Sequence, residues 1–272
     1  MSGTEITDEL LEVAQAAAQA GADVLSRRNA AELNAINKSG DGDWVTSFDI
    51  AAEEAVRGVI TAARPDDAIT GEELGTSLAE NFSGIRWSID PLDGTTNFIR
   101  NIVYYCTSVA ACDADGNWLA GVVNAPALRR TYWATRAGGA WLNENGTTRR
   151  LPGPVLARRG GILGTGFSYD EETRAEQVKD FLPMMKGLSD MRRLGSAALD
   201  LCMVADATLD AYGERGLNEH DWAAGALIAE ESGAWVHRPK LASPLDGGPS
   251  EPDRLAAWVA ASATDLSGRF PI

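Results

Sequence analysis

The sequence predicts a mixed α/β protein of the α+β kind, with helices alternating with mixed sheets in one compact unit. Three features carry that prediction. Two amphipathic helical stretches open the chain, short apolar runs cut by glycine and aspartate fill the middle, and helix and strand patterns alternate again toward the end. At 272 residues the chain can bury a substantial core.

The first helix is read from Leu10, Val13, Ala14, Ala17, Ala18, Gly21, Val24 and Leu25. They fall at the three-and-four spacing of one helical stripe, with Asp8 and Glu9 suited to the first turn. A second helix runs from Ser47 to Ala63 with Ala52, Val56, Val59 and Ile60 facing inward, and Arg64-Pro65 ends it. Strands follow at Ala68 to Thr70, Ile85 to Ile89, Val103 to Ala111 and Trp118 to Val123. Asp113-Ala114-Asp115-Gly116-Asn117 has the chemistry of a hairpin turn, which makes the last two antiparallel. Thr131 to Trp133 and Ala140 to Leu142, joined through Gly138-Gly139, suggest another hairpin. In the second half an apolar run at Gly161 to Phe167 precedes helices at Glu171 to Met185 and Ser196 to Ala205. A strand near Leu209 to Tyr212 comes next, then a helix from Trp222 to Glu231 closed by Ser232-Gly233. Pro239 to Pro252 is a turn-rich surface loop. With no repeat and no low-complexity linker, residues 1–272 read as a single domain. A boundary near Pro152 to Pro154 is where two halves, 1–152 and 153–272, would divide.

A formal charge of -15 argues against a general nucleic-acid surface, because phosphate backbones are gripped by clustered Lys and Arg. Arg129-Arg130, Arg149-Arg150, Arg158-Arg159 and Arg192-Arg193 are spread out and read as solvated doublets. An acidic protein can still bind one phosphate locally if metal ions invert the field there. No apolar run is long enough to cross a bilayer, so no membrane partner is expected. The N-terminal residues lack a basic region followed by an apolar stretch, and the expected location is the cytoplasm. Cys106, Cys112 and Cys202 form no CxxC pair and sit among apolar neighbours, as buried free thiols do.

The chemistry concentrates in Trp87-Ser88-Ile89-Asp90-Pro91-Leu92-Asp93-Gly94-Thr95-Thr96. This reads as a strand ending in a carboxylate, where Pro91 stops ladder pairing and Asp93 follows at a turn. Leu92 offers only its backbone carbonyl, which hard cations accept as they accept carboxylate oxygens. Gly94 allows close approach to a ligand, and the hydroxyls and amides of Thr95 and Thr96 can receive a phosphate oxygen. Such a set suits Mg²⁺. With only two histidines, His220 and His237, zinc is not expected. Taken singly, each piece has a plainer reading: the two aspartates as a solvated loop, Glu72-Glu73 as surface charge, and Asp221 as a helix N-cap.

The combination changes the reading. Gly71-Glu72-Glu73, Trp87 through Phe98, and Asp221-Trp222-Ala223-Ala224-Gly225 closely resemble, in order and spacing, the signatures of the inositol monophosphatase family. Asp43 through Asp49, Gly195 through Cys202 and Leu209 through Tyr212 are similar to it as well, so the resemblance covers nearly the whole chain. It implies a layered α-β-α-β-α sandwich, a homodimer, and hydrolysis of a small phosphorylated metabolite, foremost a myo-inositol monophosphate, by a metal-activated water. Mg²⁺, two or three per site, is the implied cofactor.

Carried over residue by residue, the resemblance makes Glu72, Asp90, Leu92, Asp93 and Asp221 the metal ligands, with Asp90 as the bridge and Asp93 and Asp221 completing a second site. Asp49 would bond Thr95, which with Glu72 orients the attacking water. The amides of Gly94 and Thr95 would hold the phosphate, while Ser196, Ala197 and Glu214 would meet the alcohol, with Asp93 and Asp221 beside the substrate. Lys38 resembles a basic residue near the metals, though a lone lysine in a Gly/Asp-rich loop is more often solvated. Two departures bear on the substrate: His220 stands where the family usually has tryptophan, and Phe98-Ile99-Arg100-Asn101 lacks the usual histidine-glycine pair. Arg100 and Ala125 through Arg130 look somewhat like the related histidinol-phosphate phosphatases. A metal-binding regulatory relative with little catalysis is the alternative of another class.

Overall fold

The computed structural model describes residues 3–29, 33, 35–37, 44–155, 160–239 and 250–268. Lys38, Asp43, the Arg158-Arg159 doublet and most of the Pro239 to Pro252 loop lie outside the described residues. In chain order the elements are α1 (Gly3–Leu25), β1 (Ile36–Asn37), β2 (Trp44–Val45), α2 (Ser47–Ala63), β3 (Ala68–Gly71), β4 (Gly75–Ser77), β5 (Arg86–Asp93) and α3 (Thr95–Ile99). Then come β6 (Cys106–Cys112), β7 (Trp118–Ala125), β8 (Arg130–Thr135), β9 (Gly139–Glu144), β10 (Thr147–Arg150), β11 (Ile162–Gly164), α4 (Glu171–Lys179) and α5 (Phe181–Met184). The chain continues through β12 (Asp190–Arg192), α6 (Ala197–Ala205), β13 (Ala211–Arg215), α7 (Glu219–Glu231), β14 (Trp235–His237), α8 (Glu251–Ala256) and β15 (Trp258–Ser262).

Eight strands form one sheet in the order β10-β9-β8-β7-β6-β5-β3-β4, and five form another in the order β12-β11-β13-β15-β14. Both are mixed. In the large sheet β3 and β5 run parallel among antiparallel neighbours, and in the small one β11 runs parallel to β12 and β13. The apolar stripe of α1, with Val56 and Ile60 of α2, packs on Trp87, Ile89, Val109 and Val122 on one face of the large sheet. Against the other face lie α6 and α7, where Trp222, Leu227 and Leu201 meet Val123, Tyr132 and Leu142, and the same cluster takes in Tyr212 and Val259 of the small sheet. Met184 of α5 covers the far side of the small sheet at Leu163 and Trp258. The result is the expected five-layer α-β-α-β-α sandwich, because each sheet buries both faces and so needs helices on both sides.

Both expected hairpins are present, β6 with β7 and β8 with β9. Asp113 organises the first by accepting the Asp115 and Asn117 amides at 3.0 and 2.8 Å. The helix expected from Glu171 to Met185 divides at Asp180 into α4 and α5. Pro183 is the reason: it has no amide to give to the carbonyl four residues back and crowds it. Asp221 is not an N-cap. Asn218 holds that position, the helix starts at Glu219, and Asp221 sits in its first turn.

Candidate active site

Strand β5 does not stop at Pro91. It runs to Asp93, buried throughout, and absorbs the proline as a bulge, so that Asp90 lies opposite Ser108 while Asp93 lies opposite Cys106. Three residues on β5 thus span two on β6. In a regular strand residues three apart point to opposite faces; the extra residue brings both aspartates to the same face. That face is the one carrying Cys106 and Ala110 into the core beneath α6 and α7.

Two helix starts place further carboxylates, Asp221 in the same cavity and Asp49 behind Thr95, and both use the same device. Thr46 caps α2, and Asp49 in the first turn reaches back so that its Oδ2 accepts the Thr46 amide and hydroxyl at 2.8 and 2.5 Å. Its Oδ1 accepts from Thr95 Oγ1 at 3.0 Å. On α7 the Asp221 Oδ2 accepts the Asn218 amide at 2.6 Å. Thr95 Oγ1 also lies 3.1 Å from the Leu92 carbonyl, so its single proton has two acceptors.

Gly94, with φ 102°, is the left-handed start of the short helix α3, and a Cβ there would come within 3.0 Å of the Tyr104 carbonyl. Glu72 follows β3 at a turn built by a residue that the sequence reading passed over. Buried Glu53 of α2 accepts the Glu73 and Leu74 amides at 2.7 and 3.1 Å, and its carboxylate packs so closely on Gly71 that a Cβ there would sit 2.2 Å from Oε1. A signal existed, since Glu53 falls between Ala52 and Val56 within the apolar stripe of α2.

A cavity of about 110 Å³ is lined by Glu72, Asp90, Leu92, Asp93, Gly94, Thr95 and Asp221, with Trp44 at its edge. It adjoins a larger one of about 530 Å³ to which Glu72, Asp93, Ser196, Ala197, Glu214 and Asp221 contribute. Ser196 is 2% exposed and donates to Asp93 Oδ2 at 2.7 Å, beside the Ala198 amide at 2.8 Å. Its hydroxyl therefore fixes Asp93. Glu214 accepts from the Tyr212 hydroxyl at 2.8 Å. Arg100 is an exposed residue capping α3 and lines neither cavity. His220 also lines neither. Its imidazole lies beside Glu72 and Asp90 instead, where one of its nitrogens and an oxygen of each carboxylate all fall within 4.8 Å of one another.

The carboxylates raise one another's pKa. Burial pushes Asp90 well above the usual range, and Glu72, Asp93 and Asp221 push it further. Asp93 is raised to about 7 by burial and then by Asp221. Burial likewise raises Asp221, with His220 opposing, and raises Asp49 against its hydrogen bonds from Thr46. So many acids lining one cavity suit a hard divalent cation, whose charge would relieve the repulsion. The residues present fit Mg²⁺.

The sequence matches the inositol monophosphatase family model over residues 6–264. The chain belongs to that family. A Mycobacterium tuberculosis protein named inositol-1-monophosphatase SuhB is 40% identical over 247 residues, spanning 85% of this chain and 83% of its own. A Pseudomonas aeruginosa protein named Nus factor SuhB is 35% identical over 233 residues, 84% of each chain. The solved structure of Mycobacterium tuberculosis SuhB has a TM-score of 0.75 at 36% identity, covering 95% of this chain and 92% of that one.

Proposed function

We propose that the chain is a Mg²⁺-dependent phosphomonoester hydrolase acting on a small polyol phosphate, foremost a myo-inositol monophosphate. The observation that carries this reading is the convergence of Glu72, Asp90, Leu92, Asp93 and Asp221, from the turn after β3, from β5 and from α7, on one cavity beside Thr95. When bound, Mg²⁺ would supply charge neutralisation at the phosphoryl oxygens and a water acidic enough to attack near neutral pH.

The chain's own residues do the rest. Asp90, Asp93, Glu72, Asp221 and the Leu92 carbonyl hold the cations. Thr95 takes a proton from the attacking water as its own passes toward Asp49, whose buried, raised carboxyl is suited to receive it. Amides of Gly94 and Thr95 hold the phosphate. Ala197 and Glu214, which line the larger cavity, face the alcohol, and Glu214, raised to about 7 first by burial, can accept from or donate to a hydroxyl. The reading includes a homodimer working in the cytoplasm. No described helix is long and apolar enough to cross a membrane.

Histidinol phosphate is the rival substrate. Arg100, which suggested it, lies outside both cavities, and that favours the inositol ester. A regulatory role without turnover is a second reading, favoured by the relative named Nus factor SuhB. Phosphate release from a panel holding myo-inositol 1-phosphate, histidinol phosphate and other small esters separates these. Fastest release from the inositol ester supports the proposal, faster release from histidinol phosphate reassigns the substrate, and no Mg²⁺-dependent release from any ester sinks the enzyme.

A further inference from the structure

Strand alternation puts Arg86, Ser88 and Asp90 of β5 on one face, toward the first turn of α7. At one end of that row the Arg86 guanidinium grips Glu219 in a two-pronged ion pair, with Nη2 2.9 Å from Oε2. At the other end Asp90 meets His220 and Glu72. Between them Ser88 is 2% exposed, and its Oγ has no hydrogen-bond partner among the described residues. The ion pair therefore seats the residue after Glu219 against Asp90, and this interface keeps a polar atom unmet.

His220 Nε2 lies 3.7 Å from Asp221 Oδ1, too far for a hydrogen bond, so that contact does not account for the imidazole's place. Around an ion with bonds of about 2.1 Å, adjacent ligands stand about 3.0 Å apart and opposite ones about 4.2 Å. Donors of Glu72, Asp90 and His220 that all lie within 4.8 Å of one another stand at most about 2.8 Å from a common centre, so shifts of at most about 0.7 Å per ligand close them on an ion. Imidazole nitrogen is a better donor to transition metals than to Mg²⁺, which prefers oxygen throughout.

We propose that His220 is a metal ligand in this chain, completing a mixed nitrogen and oxygen site with Glu72 and Asp90 that favours Mn²⁺ or a similar transition cation over Mg²⁺. The inference rests on the metal-site reading above. His220 replaces the oxygen-only surroundings that the family motif implies with one nitrogen, at the cation shared by Asp90.

Mn²⁺ itself is the probe. Chelator-stripped protein is titrated with Mn²⁺, with free ion counted by electron paramagnetic resonance, and electron spin-echo modulation of the bound ion reports coordinated nitrogen. The chain has two histidines, so protein grown with ¹⁵N-histidine and carrying His237→Gln isolates His220 without touching the site. Histidine nitrogen modulation that changes from the ¹⁴N to the ¹⁵N pattern on labelling supports the proposal. His220→Gln should abolish it and weaken Mn²⁺ binding about tenfold or more, with Mg²⁺ binding changed less than about threefold. Mn²⁺ bound with no histidine nitrogen overturns the ligand assignment and leaves the metal site standing. Failure to bind Mn²⁺ at all overturns both.

Discussion

Replacing Arg86 by methionine tests whether one buried ion pair ties the site's strand to the site's helix. Arg86 is 2% exposed and the Glu219 side chain 17%. Burial alone would lower the Arg86 pKa, yet Glu219 outweighs it and holds the guanidinium above its ordinary value. Removing one partner of a buried pair costs about 3–5 kcal/mol, because the other charge is left desolvated. Glu219 retains some water, and the Arg86 Nε has no hydrogen-bond partner among the described residues, which places the expected cost at the low end, about 3 kcal/mol. Loss of the guanidinium from the Trp118 ring, 5.8 Å away, is included in that figure and contributes about 0.5 kcal/mol. At about 2 °C per kcal/mol for a chain of this size, the metal-free protein should melt about 6 °C lower. A double-mutant cycle with Glu219→Gln, read by urea unfolding, should give a coupling of about 2 kcal/mol. Coupling below about 0.5 kcal/mol would refute the claim that the pair, and not the packing of Arg86 alone, anchors α7.

Thr95→Val should lower kcat by about 10²–10⁴ with KM and cation affinity nearly unchanged, since the hydroxyl moves a proton and holds no cation; steady-state kinetics would contradict this if KM rose and kcat held. Gly71→Ala should destabilise by about 2 kcal/mol, because its Cβ would meet the Glu53 carboxylate and displace the turn before Glu72. A thermal shift within error of wild type would show that the turn has room to give. The Glu214 carboxyl moves from its ordinary 4.5 to about 7, first through burial, so the folded chain holds a proton there that the unfolded chain releases. Its contribution is full below pH 4.5 and is lost as pH rises through about 7. Metal-free Glu214→Gln should therefore gain up to about 3 kcal/mol on wild type between about pH 5 and pH 8. Parallel stability profiles for the two proteins would remove Glu214 from the list of strained acids.

The elements most legible in the sequence were those whose side chains repeat at the helical or strand period over many residues. α2 runs over the residues expected of it, Ser47–Ala63, because an apolar stripe and the Arg64-Pro65 stop agree. Short edge strands such as β4 and β12, three residues each, carry too few positions to show a period. β5 was cut short at Pro91 because a proline usually ends a ladder; the bulge that lets it continue depends on β6, distant in sequence. Around the site, Glu72, Asp90, Asp93 and Asp221, named from the motifs, do line one cavity, but their supports were less visible. Thr46 and Asp49, and Asn218 and Asp221, have capping-box spacing that could have been read directly. Arg86 with Glu219 could not, since 133 residues separate them. In the sequence His220 bears on the substrate because it stands where the family usually has tryptophan. One helical position turns it from the larger cavity toward Glu72 and Asp90.

The most direct measurement is inorganic phosphate released from myo-inositol 1-phosphate by chelator-stripped protein before and after Mg²⁺ is restored, with Asp93→Asn alongside. Release should be negligible without the cation and return with it. In the variant it should remain at least about a hundredfold lower, because Asp93 holds the cation that the reaction needs. Release that is indifferent to Mg²⁺, or undiminished in Asp93→Asn, would contradict a metal-dependent phosphatase centred on Asp90 and Asp93.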